Sequence, residues 1–521
     1  MANSFAYFMI LFWPVVSLIL FLTTPRPWAI IWTIIAGYVL LPASVAIDLP
    51  LIPLLAKSST PTYAAFPLAV IGLGASFTRR SDPTGETVPL PGWLPKSFIG
   101  TTLVLAATLG SMPTALTNMD TFWVGDRLLP ALRLHEAFSF FFKHALLVLP
   151  LLLGRRYLAS TESHRRLLLA LTITGLALSL PALLEVRLSP QIHTWIYGFF
   201  PHDFIQVRRF GGWRPQVLFE HGLRFAIFMA MCLLAAAALL RVKMRYKWLR
   251  ALAVSWLSAV LVLCKSLAAI IFAAVLLPIA ILFGRRLQML TAVIIALTTL
   301  LYPALRSTGV LTEPVIRSVI DPVDVGNRYA SLKSRLVNED MLLAHAADRP
   351  VFGWGTFGRH RVYDPVTGQD VTVTDGIWII VFTQHGWVGY IAIFGLLSSP
   401  IILLYFKRKY TPPIETTGLC LVLSINLLDM LPNSSLMPMS MLIAGALYGA
   451  HERERSARRS MRPTSDGARL RTASRSGYSE TGGLRPGPRT GLSLREAETE
   501  RLGPGRPHVP SALKRARRRN M

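Results

Sequence analysis

The sequence predicts an all-α fold, a polytopic integral membrane helical bundle, and three observations carry that prediction. Of 521 residues, 52% are hydrophobic and only 16% are charged, with a mean hydropathy of +0.46, whereas soluble domains carry roughly a quarter charged residues. Apolar runs of the length that crosses a bilayer, about 17–25 residues, recur about thirteen times. The basic clusters between those runs alternate onto one side, as the positive-inside rule requires of cytoplasmic loops.

Taken in order, the expected spans are 5–23, 28–47, 62–77, 99–117, 137–154, 167–184 and 223–240. They continue with 248–264, 267–284, 289–305, 387–406, 414–431 and 434–450. That pattern is twelve to fourteen transmembrane helices within a domain of residues 1–450. The first run lacks a basic flank and a cleavage-site pattern, so it is read as a span rather than a signal peptide. Arg79-Arg80, Arg155-Arg156 with Arg165-Arg166, RVKMRYKWLR (241–250), Arg285-Arg286 and KRK (407–409) fall on the side assigned to the cytoplasm. Two long connections, 185–222 and 306–386, then face the opposite, extracytoplasmic side. Long loops on a rigid scaffold are where function concentrates.

The net charge of +26 invites a nucleic-acid partner, and its distribution argues against one. Residues 451–521 hold 18 Lys/Arg against 7 Asp/Glu. That Arg/Ser/Gly/Pro-rich tail is expected to be disordered, cytoplasmic, and drawn to anionic headgroups. Cys232, Cys264 and Cys420 lie in or at the end of apolar runs, with neither a disulfide framework nor zinc spacing.

The stretch VFGWGTFGRHRVYDPVTGQDVTVTDG (351–376) contains a literal G-x-G-x-x-G at Gly353, Gly355 and Gly358. A dinucleotide fingerprint needs a preceding strand and a following helix. These glycines instead follow an expected helix, 328–348, that stops before Pro350. A cation site built from Asp364, Asp370 and Asp375 is chemically conceivable, although the spacing matches no EF-hand. A plain Gly/aromatic loop packed on the membrane surface is the third reading. Asp375 then opens DGIWIIVFTQHGWVGYIAIFGLL, a segment that enters the membrane.

Four elements together resemble the O-antigen ligase and O-antigen polymerase superfamily of bacterial inner-membrane glycosyltransferases. PVFGWGTFG (350–358) is similar to its P-x-F-G-x-G element, and GWVGY (386–390) to its G-x-x-G before a late span. Arg214-Pro-Gln-Val-Leu218 fits its R-x3-L motif, and CKSLAA (264–269) resembles its hairpin between central spans. The likeness covers about residues 205–405. Where the ligases keep a histidine separated by ten residues from a glycine, this chain has Asp375 ahead of Gly386. The substitution favours polymerisation of O-antigen or exopolysaccharide repeat units over ligation to lipid A-core.

The resemblance implies a GT-C-like bundle in the bacterial inner membrane. Its donor is a glycan on undecaprenyl diphosphate, transferred with inversion at the periplasmic face to a glycan hydroxyl or to lipid A-core. It implies no metal, nucleotide sugar or other cofactor, and no nucleic acid. Membrane lipids, a chain-length regulator and a flippase are the further partners. A base must take the hydroxyl proton. Asp375 is the first candidate and also a natural helix N-cap; Glu220 and His221, at the lip of a span, follow. Cations must meet the departing diphosphate, and arginine's planar fork suits phosphate. Arg208, Arg209 and Arg214 lie on the side the positive-inside rule disfavours. Lys265 stands at a hairpin tip, Arg328 and Arg335 share one helical face, and Arg359, His360 and Arg361 crowd the glycine loop. Lipid headgroup contact explains the same cations. A transporter or lipid-carrier flippase is the rival of another class, and the chain shows no repeat of the kind such folds carry.

Overall fold

The computed structural model describes residues 2–49, 52–73, 91–209, 211–309, 328–407 and 411–460, with the backbone alone for residues 49, 52–53, 328–332 and 455–460. Arg79-Arg80 and the tail beyond residue 460 therefore lie outside the described residues, as does the side chain of Arg328.

Almost every expected span is one helix. These are α1 (Ser4–Thr23), α2 (Arg26–Leu40), α3 (Thr60–Val70), α4 (Phe98–Leu109) with the short α5 (Met112–Leu116), α6 (Leu134–Tyr157) and α7 (Thr161–Leu188). After α8 (Ile192–Tyr197) come α9 (Gly222–Arg241), α10 (Lys247–Leu263), α11 (Leu267–Leu282) and α12 (Arg285–Ser307). Then follow α13 (Arg328–Ala346), α14 (Ile377–Tyr405), α15 (Ile414–Asp429) and α16 (Pro438–Ser460). Among the described residues, seven helices are long and apolar enough to cross a membrane, and α2 and α11 are shorter apolar helices. Among the described residues the strands form three two-stranded ribbons: β1–β2 (Ala46–Leu49, Ile52–Ala56), β3–β4 (Phe122–Val124, Arg127–Leu129) and β5–β6 (Arg208–Arg209, Gly212–Trp213).

The differences from expectation have local causes. The run 99–117 breaks after Gly110, where α4 ends, and α5 starts afresh at Met112-Pro113. The span expected at 387–406 begins ten residues earlier, because α14 continues through a bend at Gly386 (φ 60°, ψ −160°). At that bend the amides of Trp387 and Val388 donate to the carbonyls of Pro350 (2.8 Å) and Val351 (3.2 Å). Backbone groups freed by a kink must find such partners.

Helix α9 is the central post, buried without a break from Phe225 to Leu239, and it packs on α7, α10, α11 and α15. Its alanine run allows neighbours to come close, the usual device between helices in a membrane. The same device draws α6 to α16: a Cβ at Gly445 would stand 1.9 Å from the Leu151 carbonyl oxygen.

Contacts between loops distant in sequence, such as Arg155 with Glu452 and Arg285 with Pro412 against Lys57 with Leu218 and Thr114 with Phe352, define two unlike ends of the bundle. One gathers Arg155-Arg156, Arg165-Arg166, the 241–250 turn, Arg285 and Lys407. The other gathers the described residues of 189–209, 211–221, 264–266 and 350–376, together with segments the sequence did not single out, 41–49, 52–59, 110–133 and 430–437. The helix α13 lies at this loop-bearing end against α14, burying Leu336, Glu339, Leu342 and Ala346 on one stripe.

Candidate functional site

The loop-bearing end is organised around residues 214–224. Glu185, at the last turn of α7, accepts the amides of Gln216 (2.9 Å) and Val217 (2.7 Å) with one oxygen and that of Ile192 (3.1 Å) with the other. This clamp holds the turn in which Val217 takes a φ of 52°. Arg214 is thereby turned inward, only 7% exposed, with its stem lying over Gly222, where an added Cβ would meet Arg214 Cδ at 2.4 Å.

One guanidinium nitrogen of Arg214, Nη2, donates to the Lys265 carbonyl at 3.1 Å, and Nε has no partner among the described residues. No acid among them pairs with it. Burial first, then the nearby Arg209 and Arg335 guanidiniums, lower its pKa to about 10. Lys265 stands beside it in a left-handed conformation, φ 51°. The Lys265 ammonium reaches the Arg209 carbonyl at 3.3 Å and lies directly over Gly212. Arg208 and Arg209 are exposed on the β5–β6 ribbon.

Two carboxylates flank these cations. Glu220 pairs with Arg224 at 3.2 Å. Burial would raise its pKa, but the Lys57 ammonium and Arg224 together hold it below the ordinary carboxylate range. Lys57 is itself buried, donates to the Leu218 carbonyl, lies 4.8 Å from the centre of the Phe219 ring, and is lowered to about 8, chiefly by burial.

Asp375 is the more open carboxylate, with its side chain 39% exposed and 3.2 Å from Arg335 Nε. The expected N-cap role passes to Gly376, whose residue makes no side-chain cap. The first amide of the helix, Ile377 N, instead donates to the Asn433 carbonyl at 3.2 Å. Arg335 and Arg224 also hold the 430–437 loop, donating to the carbonyls of Pro432 (3.1 Å) and Ser434 (2.5 Å).

His221 caps α9: its Nδ1 accepts the Leu223 amide at 2.9 Å, which leaves the ring proton on Nε2. Burial, the His202 ring 4.5 Å away and the surrounding arginines lower its pKa to about 3. In this state His221 offers a donor rather than a base.

The glycine loop is held differently. Gly353, Gly355 and Gly358 all take positive φ, 69°, 78° and 83°, so the pattern serves three left-handed turns. Trp354 and Gly355 donate to the carbonyls of Thr383 (2.8 Å) and Gln384 (2.9 Å), which sews residues 350–355 to the bend in α14. Arg359 is fully buried. Its two terminal nitrogens donate to the Asp120 and Pro130 carbonyls (2.7 and 3.0 Å), to Asn118 Oδ1 (3.3 Å) and to Asp120 Oδ1 (3.2 Å). Arg361 pairs with Asp370. His360 is buried next to Gln384, 3.4 Å away, and burial leads the causes that lower its pKa to about 4.

Asp364 closes its own turn on Val366 and Thr367. The three aspartates weighed as a cation site are thus engaged separately. Among the described residues no three His, Cys, Asp or Glu side chains converge to hold a metal ion.

The structure therefore brings Arg209, Arg214, Glu220, His221, Lys265, Arg335 and Asp375 to one region, and commits Arg359 and Arg361 to the loop's own architecture. Sequence reasoning missed Lys57, Arg224 and Asp429, whose Oδ1 accepts Asn433 Nδ2 at 2.9 Å while Oδ2 is buried without a partner among the described residues. Lys57 was findable: it is a lysine away from the basic loops, the criterion that singled out Arg208–Arg214. Also missed was the pair His144–His385, with ring centres 4.6 Å apart. No protein-family model matches the chain, and neither does any curated protein or solved structure.

Proposed function

We propose that the chain is a membrane glycosyltransferase that polymerises lipid-diphosphate-linked oligosaccharide repeats, with undecaprenyl diphosphate as the carrier and the loop-bearing end on the periplasmic side of the inner membrane. The observation that carries this reading is Arg214: a withdrawn guanidinium with unused donors, among other cations, and with a half-open carboxylate, Asp375, attached to the same region through Arg335. Buried donors without acceptors are costly, and an oxyanion supplies what they lack.

In the reaction the acceptor sugar's hydroxyl oxygen bonds to the donor's anomeric carbon from the face opposite the diphosphate. The anomeric C–O bond breaks, and its electron pair leaves with the diphosphate, whose developing charge meets Arg214, Lys265 and Arg209. The hydroxyl proton passes to the Asp375 carboxylate, which Arg335 orients. Fixed cations placed where charge develops are a large source of rate acceleration.

The test uses the purified full chain in liposomes with lipid-diphosphate-linked repeats on the side of the loop-bearing end. Asp375→Asn and Arg214→Ala are expected to abolish polymer without changing membrane insertion. Full-length polymer from both variants overturns the site. Transfer of finished glycan to lipid A-core, without elongation, replaces polymerase with ligase.

A further inference from the structure

At the basic end, cations are mostly matched within the protein. Arg155 pairs with Glu452 at 2.5 Å, Arg165 and Arg166 pair with Glu162, and Lys407 pairs with Glu454. The turn RVKMRYKWLR between α9 and α10 departs from that pattern. It surrounds a cavity of about 440 Å³ lined by Arg241, Lys243, Met244, Lys247, Arg250 and Ile281 among others, and no acid lines it.

Two of the four cations build the walls. Arg241 donates to the Phe283 carbonyl at the end of α11. Arg250 donates to the carbonyls of Leu239 (2.5 Å), Val242 (2.6 Å) and Met244 (2.7 Å), which closes the C-terminus of α9. Those carbonyls fix both guanidiniums. Lys243 and Lys247 have exposed side chains and no hydrogen-bonding or ion-pair partner among the described residues. Tyr246, with a φ of 59°, reverses the chain between them and so brings both lysines to the same opening. Just outside, Trp248 is 64% exposed and Leu252 58% exposed. Aromatic and apolar side chains beside cations mark the depth where headgroups meet acyl chains.

We infer that this cavity binds the headgroup phosphate of an anionic phospholipid, with Lys243 and Lys247 as the ligating cations on a frame set by Arg241 and Arg250. Basic pockets between transmembrane helices recognise anionic headgroups through charge concentrated at the membrane surface. Here the cavity adds shape to that charge, and the apolar rim selects a lipid over a free anion. The site lies at the opposite end of the bundle from Arg214 and stands whether or not the glycan reading does.

The experiment measures thermal unfolding of the full chain in neutral detergent. It is titrated with short-chain phosphatidylglycerol, with short-chain phosphatidylcholine, or with inorganic phosphate. The variants are Lys243→Gln/Lys247→Gln and Lys243→Arg/Lys247→Arg, which leave the carbonyl-bound arginines untouched. Phosphatidylglycerol is expected to raise the unfolding temperature of the parent chain in a saturable way, and the other two probes to leave it in place. Loss of about fivefold in affinity per lysine makes the double glutamine variant roughly twenty-five-fold weaker, while the double arginine variant keeps binding. Equal shifts from phosphatidylglycerol and phosphatidylcholine overturn the site, as does full binding by the glutamine variant. A phosphate response equal to that of phosphatidylglycerol overturns the lipid assignment.

Discussion

Arg359 and Arg214 stand at the same end of the bundle, both withdrawn from solvent, and they are held in opposite ways. Arg359 spends its two terminal nitrogens on four acceptors and rests against the Phe122 ring at 4.8 Å. Arg214 has one carbonyl and other cations for company. Arg359, with both terminal nitrogens engaged and a carboxylate beside it, is part of the frame, although its Nε, like that of Arg214, has no partner among the described residues. Arg214, with a single carbonyl acceptor and no acid paired to it among the described residues, is held by the fold around it and keeps donors for an anion. Burial alone does not separate structural from functional cations; the balance of donors against acceptors does.

Removing Arg359 should produce the largest effect. Arg359→Ala leaves the Asp120 and Pro130 carbonyls without this donor, at a cost of roughly 1–3 kcal/mol for each, while the half-exposed Asp120 carboxylate keeps its pairing with Arg349. Thermal unfolding in detergent measures it, and an unchanged midpoint would erase the distinction between the two arginines. Arg214→Ala should do the reverse. It removes a cation that Arg209 and Arg335 repel, so stability should stay within about 1 kcal/mol of the parent, while polymer formation falls on the order of a hundredfold or more. A large loss of stability with normal residual turnover would make Arg214 a second Arg359.

Glu220 lies between these extremes. It neutralises Lys57 and Arg224 inside the protein, so Glu220→Gln should destabilise by about 1–3 kcal/mol. Adding Lys57→Met should return part of that loss, since the two sites are coupled. The depressed pKa of Glu220 fixes the sign of its pH effect. Its contribution is present above the ordinary carboxylate range and lost as pH falls through the folded value. The glutamine variant should therefore show a flatter acid limb in unfolding temperature against pH. A limb as steep as the parent's would assign acid sensitivity to other groups.

The fold was legible because hydrophobic run length and loop charge are local properties of the chain. Nearly every span appears as one helix, and the described basic loops gather at one end. The candidate site was legible only in part, because what distinguishes Arg214 from Arg359 is what each side chain meets. Both are arginines in loops beside glycines and aromatics. The acceptors of Arg359 come from residues 118–130, more than two hundred positions earlier. The 430–437 loop falls at the junction of the expected spans 414–431 and 434–450 and carries no local signal, although Arg224 and Arg335 both bind it. Asp375 read as a cap from its place before a helix, and the carboxylate turned instead to Arg335, forty residues earlier.

The smallest expected effect concerns how Arg335 is carried. Its helix, α13, is fastened by Glu339, which lies 3.4 Å from Arg306 Nε and accepts Trp378 Nε1 at 3.1 Å. Burial pushes the Glu339 pKa up to about 7, against the opposing pull of Arg306 and Trp378. A raised carboxyl pKa means that the folded state holds a proton which the unfolded chain has released. The contribution is complete below the ordinary carboxylate range and declines as pH rises from there to about 7, above which it is spent. After allowance for Arg306, the change should be on the order of 1 kcal/mol. Hydrogen exchange across residues 333–346, corrected for the intrinsic pH dependence of exchange, should show protection falling between pH 5 and pH 7 and level beyond. Glu339→Gln should remove that slope while keeping the Trp378 contact through its amide oxygen. Since α13 delivers Arg335 to Asp375, the same pH range should loosen the Asp375 ion pair, whereas the carbonyl-bound Arg359 should be unaffected. If the slope persists in the glutamine variant, the titrating group lies elsewhere and Arg335 rests on as fixed a support as Arg359.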